Sequence, residues 1–124
     1  MLKERQVKKT IFKDNIVLFA EGTSFEKVNI EKIECILVND VFTQVFFEGK
    51  KIIRVRRSLN EWGKILPQNI FIRVNRATMI NLNYVKHIEK SSNKTLIIHM
   101  KNYESPVIMS RSYTSKLKDK LIIR

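Results

Sequence analysis

Short segments rich in isoleucine, valine and phenylalanine follow one another from residue 15 onward, and turn-forming residues separate them. Such segments favour strands over helices, because β-branched and aromatic side chains fit the pleated surface of a sheet. The predicted strands are Ile16–Ala20, Lys27–Ile30, Ile33–Val38, Thr43–Phe47, Ile52–Arg56, Phe71–Val74, Thr78–Ile80, Tyr84–Glu89, Thr95–Met100 and Val107–Met109. The pattern predicts a mostly β protein made of small packed antiparallel sheets.

Two segments change to a helical period, so we expect two short helices. Ser58 is a predicted N-cap with Glu61 three residues later, which is the capping-box pattern, and Pro67 ends this helix. The second helix is predicted over residues 110–122, where apolar residues recur at every fourth position. Just before the first helix, residues 48–50 (Glu-Gly-Lys) predict the turn of a hairpin.

Length and cysteine content limit the organisation of the chain. Residues 1–13 are lysine-rich and polar, so we predict a tail or linker remnant there and a single domain over residues 14–124. Cys35 is the only cysteine, which excludes an intrachain disulfide and fits a reducing compartment. No apolar run approaches the roughly 18 residues that a membrane span needs. We therefore expect a cytoplasmic protein without a membrane partner.

The charge balance points to a polyanionic partner. The chain carries 24 Lys and Arg residues against 12 Asp and Glu, a formal net charge of +12. Residues 71–124 hold 11 of the basic residues and 3 of the acidic ones. A basic surface of this kind is typical of proteins that bind nucleic acid, although an anionic membrane would also attract it.

Residues that could perform catalysis do not cluster in the sequence. His87 and His99 are isolated from each other and from any metal-binding motif. Cys35 lies in an apolar segment, which favours a buried position over a reactive one. With three glycines the chain has no phosphate-binding loop of the Walker or dinucleotide type. We therefore predict no enzyme activity, no metal site and no cofactor.

Two arginines stand out, because each is placed where a predicted strand breaks. Arg76 follows the strand that ends at Val74, and short residues surround it. Arg111 follows Ser110, the predicted N-cap of the last helix, and the helix dipole disfavours a cation there. A bound anion would be met at that end by backbone N–H donors and the guanidinium together. Guanidinium groups also suit the O6/N7 edge of guanine.

Four sequence segments, in this order, resemble the LytTR DNA-binding domain, the output module of many bacterial response regulators: IEKIECILV, the hairpin leading into RSL, FIRVNRATMINLNYVKHIE and SRSYTSKL. The resemblance runs from about residue 14 to the end of the chain. It implies a β-rich fold in which three loops, and not a recognition helix, enter successive major grooves. The chain departs from the family where Asn75 replaces the usual histidine and Ala77 the usual serine.

The resemblance also implies which residues contact DNA. Thr43, Arg76 and Arg111 fall on the base-contacting positions. Residues expected to contact the DNA backbone are Asn39, Arg73, Asn75, Lys101, Ser110, Ser112 and Lys116.

The sequence therefore predicts a sequence-specific, double-stranded DNA-binding transcriptional regulator. We expect a monomer in solution that binds paired direct repeats, linked to an upstream receiver or sensor domain or to a histidine kinase pathway. The sequence leaves open whether the chain is a stand-alone regulator or a piece of one. The alternatives are a basic RNA-binding module, which would need exposed aromatic residues for stacking, and a non-catalytic protein-interaction or membrane-surface domain.

Overall fold

The computed structural model describes residues 11–13, 16–21, 24–91 and 94–120. In these residues the chain forms three antiparallel sheets and two α-helices. Side chains are described for residues 26–91 and 94–115. The elements are β1 (Ile11–Lys13), β2 (Ile16–Glu21), β3 (Ser24–Asn29), β4 (Ile33–Asn39), β5 (Phe42–Phe47), β6 (Ile52–Val55), α1 (Leu59–Ile65), β7 (Phe71–Asn75), β8 (Thr78–Asn81), β9 (Val85–Lys90), β10 (Leu96–Met100), β11 (Val107–Met109) and α2 (Arg111–Lys120). The predicted mostly β architecture with two short helices is confirmed.

The strands pair into an N-terminal sheet β1-β2-β3, a central sheet β6-β5-β4-β8-β7 and a C-terminal sheet β11-β10-β9. Each predicted strand is present, and its ends shift by at most three residues. Residues 11–13, which the sequence placed in the tail, instead form β1 and pair with β2. Two single turns of 3-10 helix, Ile30–Lys32 and Leu82–Tyr84, lead into β4 and β9.

The hairpin of β5 and β6 forms as predicted, with Thr43 opposite Val55. Its turn places Gly49 at φ +86° and Lys50 at φ +69°, a left-handed conformation that glycine adopts without steric cost. Along β5 every second side chain is buried, because successive residues of a strand point to opposite faces.

Helix α1 begins with the predicted capping box. The Ser58 hydroxyl accepts a hydrogen bond from the Glu61 N–H at 3.1 Å, and the Glu61 carboxylate accepts one from the Ser58 N–H at 2.9 Å. The buried face of the helix carries Leu59 and Trp62. Leu66 caps the other end directly before Pro67.

The hydrophobic core lies on both faces of the central sheet. On one face α1 contributes Leu59 and Trp62 to a cluster with residues of β4 and β5 such as Ile36 and Val45. On the other face the C-terminal sheet packs against the central sheet, and the residues in contact include Cys35, Ile72, Val74, Ile80, Ile98 and Met109. The central sheet is therefore covered on both sides, and its loops at one end remain exposed.

Helix α2 follows β11 after one residue, Ser110, and it packs against β7. The sequence predicted this helix over residues 110–122, of which 121 and 122 lie outside the described residues. Within the described part of the chain, no helix is long and apolar enough to cross a membrane.

Candidate nucleic-acid interface

The turn between β7 and β8 carries Arg76 and is held by hydrogen bonds on both sides. The Asn75 side-chain oxygen accepts from the Ala77 N–H at 2.8 Å, which closes a local side-chain turn. The Arg73 guanidinium donates through Nη2 to the Arg76 carbonyl at 2.7 Å and through Nη1 to Asn60 Oδ1 at 2.7 Å. The turn is thereby tied to α1, while the Arg76 side chain itself stays exposed.

The sequence predicts Arg73 and Asn75 as contacts to the DNA backbone, whereas the structure uses both side chains to hold this turn. Besides its bond to Ala77, Asn75 donates through Nδ2 to the Ile108 carbonyl at 2.8 Å. Arg73 is half-buried, with both terminal nitrogens engaged within the protein. The two residues therefore act as positioning residues for Arg76.

The junction of β11 and α2 lies directly beside this turn. The Ser110 N–H donates to the Val74 carbonyl at 3.1 Å, next to the bond between Asn75 and Ile108. The Ser110 carbonyl accepts from the N–H groups of Tyr113 and Thr114, which starts the helix. Arg111 and Ser112 follow in its first turn and are exposed. Arg76 and Arg111, 35 residues apart in sequence, thus lie in neighbouring loops.

The turn between β4 and β5 lies on the other side of the Arg76 turn. The Val38 N–H donates to the Ala77 carbonyl at 2.9 Å, which links the two loops directly. Asn39 is exposed, Asp40 turns the chain with φ +64°, and Val41 is 54% exposed. Three loops therefore meet at one end of the sheets, and we call them the loop edge: residues 39–42, 75–78 and 108–112.

Thr43 does not belong to the loop edge, which corrects the sequence prediction that it contacts a base. Its side chain is 1% exposed and points into the core on the buried face of β5. Thr43 Oγ1 accepts a hydrogen bond from Trp62 Nε1 at 2.9 Å and donates one to the Val55 carbonyl at 3.3 Å. A side chain enclosed and bonded in this way cannot reach a base without unfolding its strand.

Arg54 and Arg56 extend the basic surface beside the loop edge, although no sequence motif predicted them as DNA contacts. Both are exposed, Arg54 on β6 and Arg56 directly after it, next to the start of β5. The Arg54 guanidinium lies 4.3 Å and that of Arg56 6.0 Å from the centre of the Phe42 ring. Contact with an aromatic face orients a guanidinium while leaving its N–H donors available. In the sequence, Ile53 and Val55 alternate with Arg54 and Arg56, and this alternation predicts that the two arginines lie together on a solvent-exposed face.

One of the two lysines predicted as DNA contacts, Lys101, lies away from the loop edge. Lys101 follows the far end of β10, whereas Leu96 at the near end pairs with Met109 beside the loop edge. Five steps of about 3.3 Å separate Lys101 from Leu96 by roughly 16 Å, so Lys101 lies away from the arginines. The Lys116 side chain lies outside the described side chains.

The end opposite the loop edge carries both acidic and basic side chains. Glu48 lies in the turn after β5 and pairs with Lys32 at 3.3 Å. Hydrogen bonds from Tyr84 and Lys32 lower the pKa of the Glu48 carboxyl, so it stays ionised. Glu31 in the 3-10 turn before β4 and Glu104 in the loop after β10 lie at that end as well, together with Lys50, Lys51 and Lys101. The loop edge carries Arg76 and Arg111 and one acidic residue, Asp40, and this basic balance favours docking of a polyanion there.

The two histidines that are isolated in the sequence come together in the structure. His87 on β9 is the pairing partner of His99 on β10, and Glu89 lies beside both. This cluster is on the C-terminal sheet and shares no residue with the loop edge.

A family model described as the LytTr DNA-binding domain matches residues 23–122. The chain belongs to the LytTR family. Transcriptional regulatory protein YpdB of Escherichia coli K12 is similar to it, with 28% identity over 105 residues that cover 79% of this chain and 43% of YpdB. Sensory transduction protein LytR of Staphylococcus epidermidis is 30% identical over 94 residues, which cover 76% of this chain and 36% of LytR.

A solved LytTr DNA-binding domain from Bacillus cereus has the same fold. It superposes with a TM-score of 0.76 at 26% identity, covering 87% of this chain and 97% of that one. The LytTR chain thus matches nearly all of the solved domain, while it spans less than half the length of YpdB and LytR.

Proposed function

We propose that this LytTR chain is a sequence-specific, double-stranded DNA-binding transcriptional regulator that reads major-groove bases from the loop edge. The observation that carries the proposal is the set of hydrogen bonds that seats the Arg76 turn between its two neighbours. Through Val38 and Ala77 on one side, and through Val74 and Ser110 on the other, it brings three loops to one basic end of the domain. Loops fixed to a rigid scaffold in this way keep their side chains in register with a duplex.

Base reading falls to the exposed residues at the tips of the loops. Arg76 and Arg111 each present a planar fork of donors that fits the O6 and N7 acceptors of guanine. In the first loop Val41 takes the place that the sequence gave to Thr43. Its side chain is apolar and 54% exposed, which suits the C5-methyl group of thymine.

Phosphate contacts set the register of the domain on DNA. We assign them to Asn39, Ser110, Ser112 and Lys116 as predicted, and we add Arg54 and Arg56 because both are exposed beside the first loop. Arg73 and Asn75 act indirectly, by fixing the turn that carries Arg76. Sequence-independent contacts of this kind supply much of the affinity, whereas base contacts supply the choice of site.

The proposed partner is duplex DNA with paired direct repeats, bound by a chain that is monomeric in solution and acts without catalysis or a cofactor. YpdB is named a transcriptional regulatory protein and LytR a sensory transduction protein. An upstream receiver or sensor domain, or a histidine kinase pathway, would supply the signal. The RNA-binding alternative is less well supported, because Phe47, Trp62 and Phe71 are buried in the core and cannot stack on bases.

The experiment that tests the proposal is selection of a preferred sequence from randomised duplex, followed by binding measurements with that duplex, its scrambled version, single strands, RNA and anionic vesicles. We expect the selected duplex to bind at least about 1000-fold more tightly than the scrambled one. Equal binding to all polyanions would contradict the proposal, and preferential binding to RNA or vesicles would establish the corresponding alternative.

A further inference from the structure

The face of the C-terminal sheet that points away from the core carries two histidines and a glutamate in mutual contact. His87 and His99 are opposite each other across β9 and β10, and their rings stack with centroids 5.4 Å apart. Glu89 lies two residues beyond His87 and therefore on the same face of the strand. Its carboxylate contacts both rings, at 3.0 Å from His99 Nε2 and 3.8 Å from His87 Nε2.

We infer that this cluster is a binding site for a divalent transition-metal ion of the zinc class, with His87, His99 and Glu89 as its ligands. One ligand atom from each of these three side chains lies within 4.8 Å of the other two. Tetrahedral zinc with bonds of about 2.0 to 2.2 Å requires ligand atoms about 3.3 Å apart. The ligand atoms would have to approach one another by up to about 1.5 Å, through rotation of the side chains, to meet this requirement.

The donor set fits this class of ion. Two imidazole nitrogens and one carboxylate oxygen suit Zn²⁺, Cu²⁺ and Ni²⁺, whereas Ca²⁺ and Mg²⁺ prefer oxygen ligands alone. His87 and Glu89 are exposed and His99 is half-buried, so an ion can enter from solvent and water can complete its coordination.

The strand pairing explains how ligands so far apart in sequence converge. Directly opposed side chains in an antiparallel pair have Cβ atoms about 5 Å apart, and diagonal neighbours are within reach of longer side chains. His99 opposes His87 directly, and Glu89 is its diagonal neighbour, because Glu89 pairs with Ile97. A bound ion would join β9 to β10 close to the bulge that follows His99.

Competing ligands are few, which makes the site easy to assign. The chain has two histidines and one cysteine in all, and Cys35 is buried in the core. Any metal binding that depends on histidine must therefore involve His87 or His99. The site shares no residue with the loop edge, so metal binding can be tested independently of the proposed DNA binding.

The test is a calorimetric titration of the whole 124-residue chain with Zn²⁺, together with the visible absorption of the Co²⁺ form and the imidazole NMR signals of the two histidines. We expect one ion per chain and a tetrahedral Co²⁺ spectrum.

His87→Gln and His99→Gln should each weaken binding by at least about 100-fold, because loss of a ligand costs more than the roughly 10- to 100-fold loss from an outer-sphere contact. Glu89→Gln should also weaken it, whereas the matched control Glu104→Gln, an exposed acid outside the cluster, should bind like the parent.

Circular dichroism checks that each variant is folded, and the imidazole signals of the unmodified chain give a readout that needs no variant. Zn²⁺ should shift both histidine signals in proportion to occupancy and raise the melting temperature. Retention of full affinity by His87→Gln and His99→Gln, or unperturbed imidazole signals at saturating Zn²⁺, would overturn the inference.

Discussion

The indole N–H of Trp62 donates a hydrogen bond to Thr43 Oγ1 across 2.9 Å in the core, where α1 meets the central sheet. Both side chains are at most 1% exposed, and the same hydroxyl donates to the Val55 carbonyl. One hydroxyl thus connects α1, β5 and β6. Burial of an indole N–H is costly unless it has such a partner, so we expect Thr43 to contribute to stability and not to DNA contact.

Thr43→Val should therefore lower the free energy of unfolding by about 1–3 kcal/mol, because the shape of the side chain is kept while a buried donor loses its acceptor. Denaturant unfolding measures the effect. Thr43→Ser is the control, since it keeps the hydroxyl and loses one methyl group. The affinity of folded Thr43→Val for the selected duplex should equal that of the parent. A loss of base preference without a loss of stability would show instead that Thr43 contacts DNA.

The elements that could be predicted from the sequence are those fixed by local chemistry. The capping box of Ser58 and Glu61 formed as expected, because both partners lie within one helical turn. The β5–β6 hairpin formed as expected because its turn carries Gly49, which tolerates a positive φ. Local rules were sufficient in both places.

The orientation of Thr43 was missed because the run from Phe42 to Phe47 has apolar residues on both faces of the strand. Either alternation would bury phenylalanine, and only the fold decides that Thr43, Val45 and Phe47 point inward. The same limit applies to contacts made across the sheet. The pairing of His87 with His99 and the use of Asn75 to hold the Ile108 carbonyl depend on strand pairing, which no local pattern encodes.

Cys35 gives a prediction for the dependence of stability on pH. Burial, and to a lesser degree the charge of Glu34, raise the pKa of its thiol from 9.0 to about 12. The folded state therefore holds this proton more tightly than the unfolded state. Its contribution to stability is complete below pH 9 and is lost as the pH rises toward 12, by at most about 1.4 kcal/mol per pH unit.

Unfolding free energies measured between pH 8 and pH 10.5 should accordingly fall more steeply for the parent than for Cys35→Ala. Ionisation of lysines affects both proteins alike and cancels in the comparison. Thiol-reactive reagents should modify Cys35 in the unfolded chain but hardly at all in the native one. Equal slopes with pH, together with rapid native modification, would show that the thiol is accessible.

Salt dependence tests the electrostatic part of binding. If the domain contacts about 5 phosphates, a plot of log affinity against log salt should have a slope near −4.5, at about −0.9 for each phosphate. Arg54→Ala and Arg56→Ala should each reduce the slope by about 0.9, since each removes one proposed contact. Lys101→Ala, at the opposite end of the domain, should leave it unchanged. A parent slope near zero would contradict a binding mode based on phosphate contacts.

Self-association can be tested by sedimentation with and without DNA. We predict a monomer at micromolar concentration that occupies two half-sites spaced by about one helical turn, roughly 10 bp. Two chains should bind a duplex with paired direct repeats, and one chain should bind a duplex in which one repeat is scrambled. A stable dimer in the absence of DNA would contradict this arrangement.

The loop edge predicts which arginines read bases. Arg76 and Arg111 are both exposed and lie outside the two hydrophobic clusters, so neither substitution to alanine should change the melting temperature. If each guanidinium donates two hydrogen bonds to a guanine, its loss should reduce the free energy of binding to the selected duplex by about 1–3 kcal/mol. The preference for one base at that position should also weaken.

Arg73→Ala should also weaken the selected duplex, because its guanidinium holds the Arg76 carbonyl at 2.7 Å and positions the turn. That loss should nearly vanish in an Arg76→Ala background, as expected for a residue that acts through another. The measurements are affinities of each variant for the matched duplex and for duplexes changed at single positions, with Lys101→Ala as a control that removes one charge far from the loop edge. Should Arg111→Ala weaken matched and mismatched duplexes equally, Arg111 contacts phosphate, and base reading in the third groove belongs to another residue of that loop.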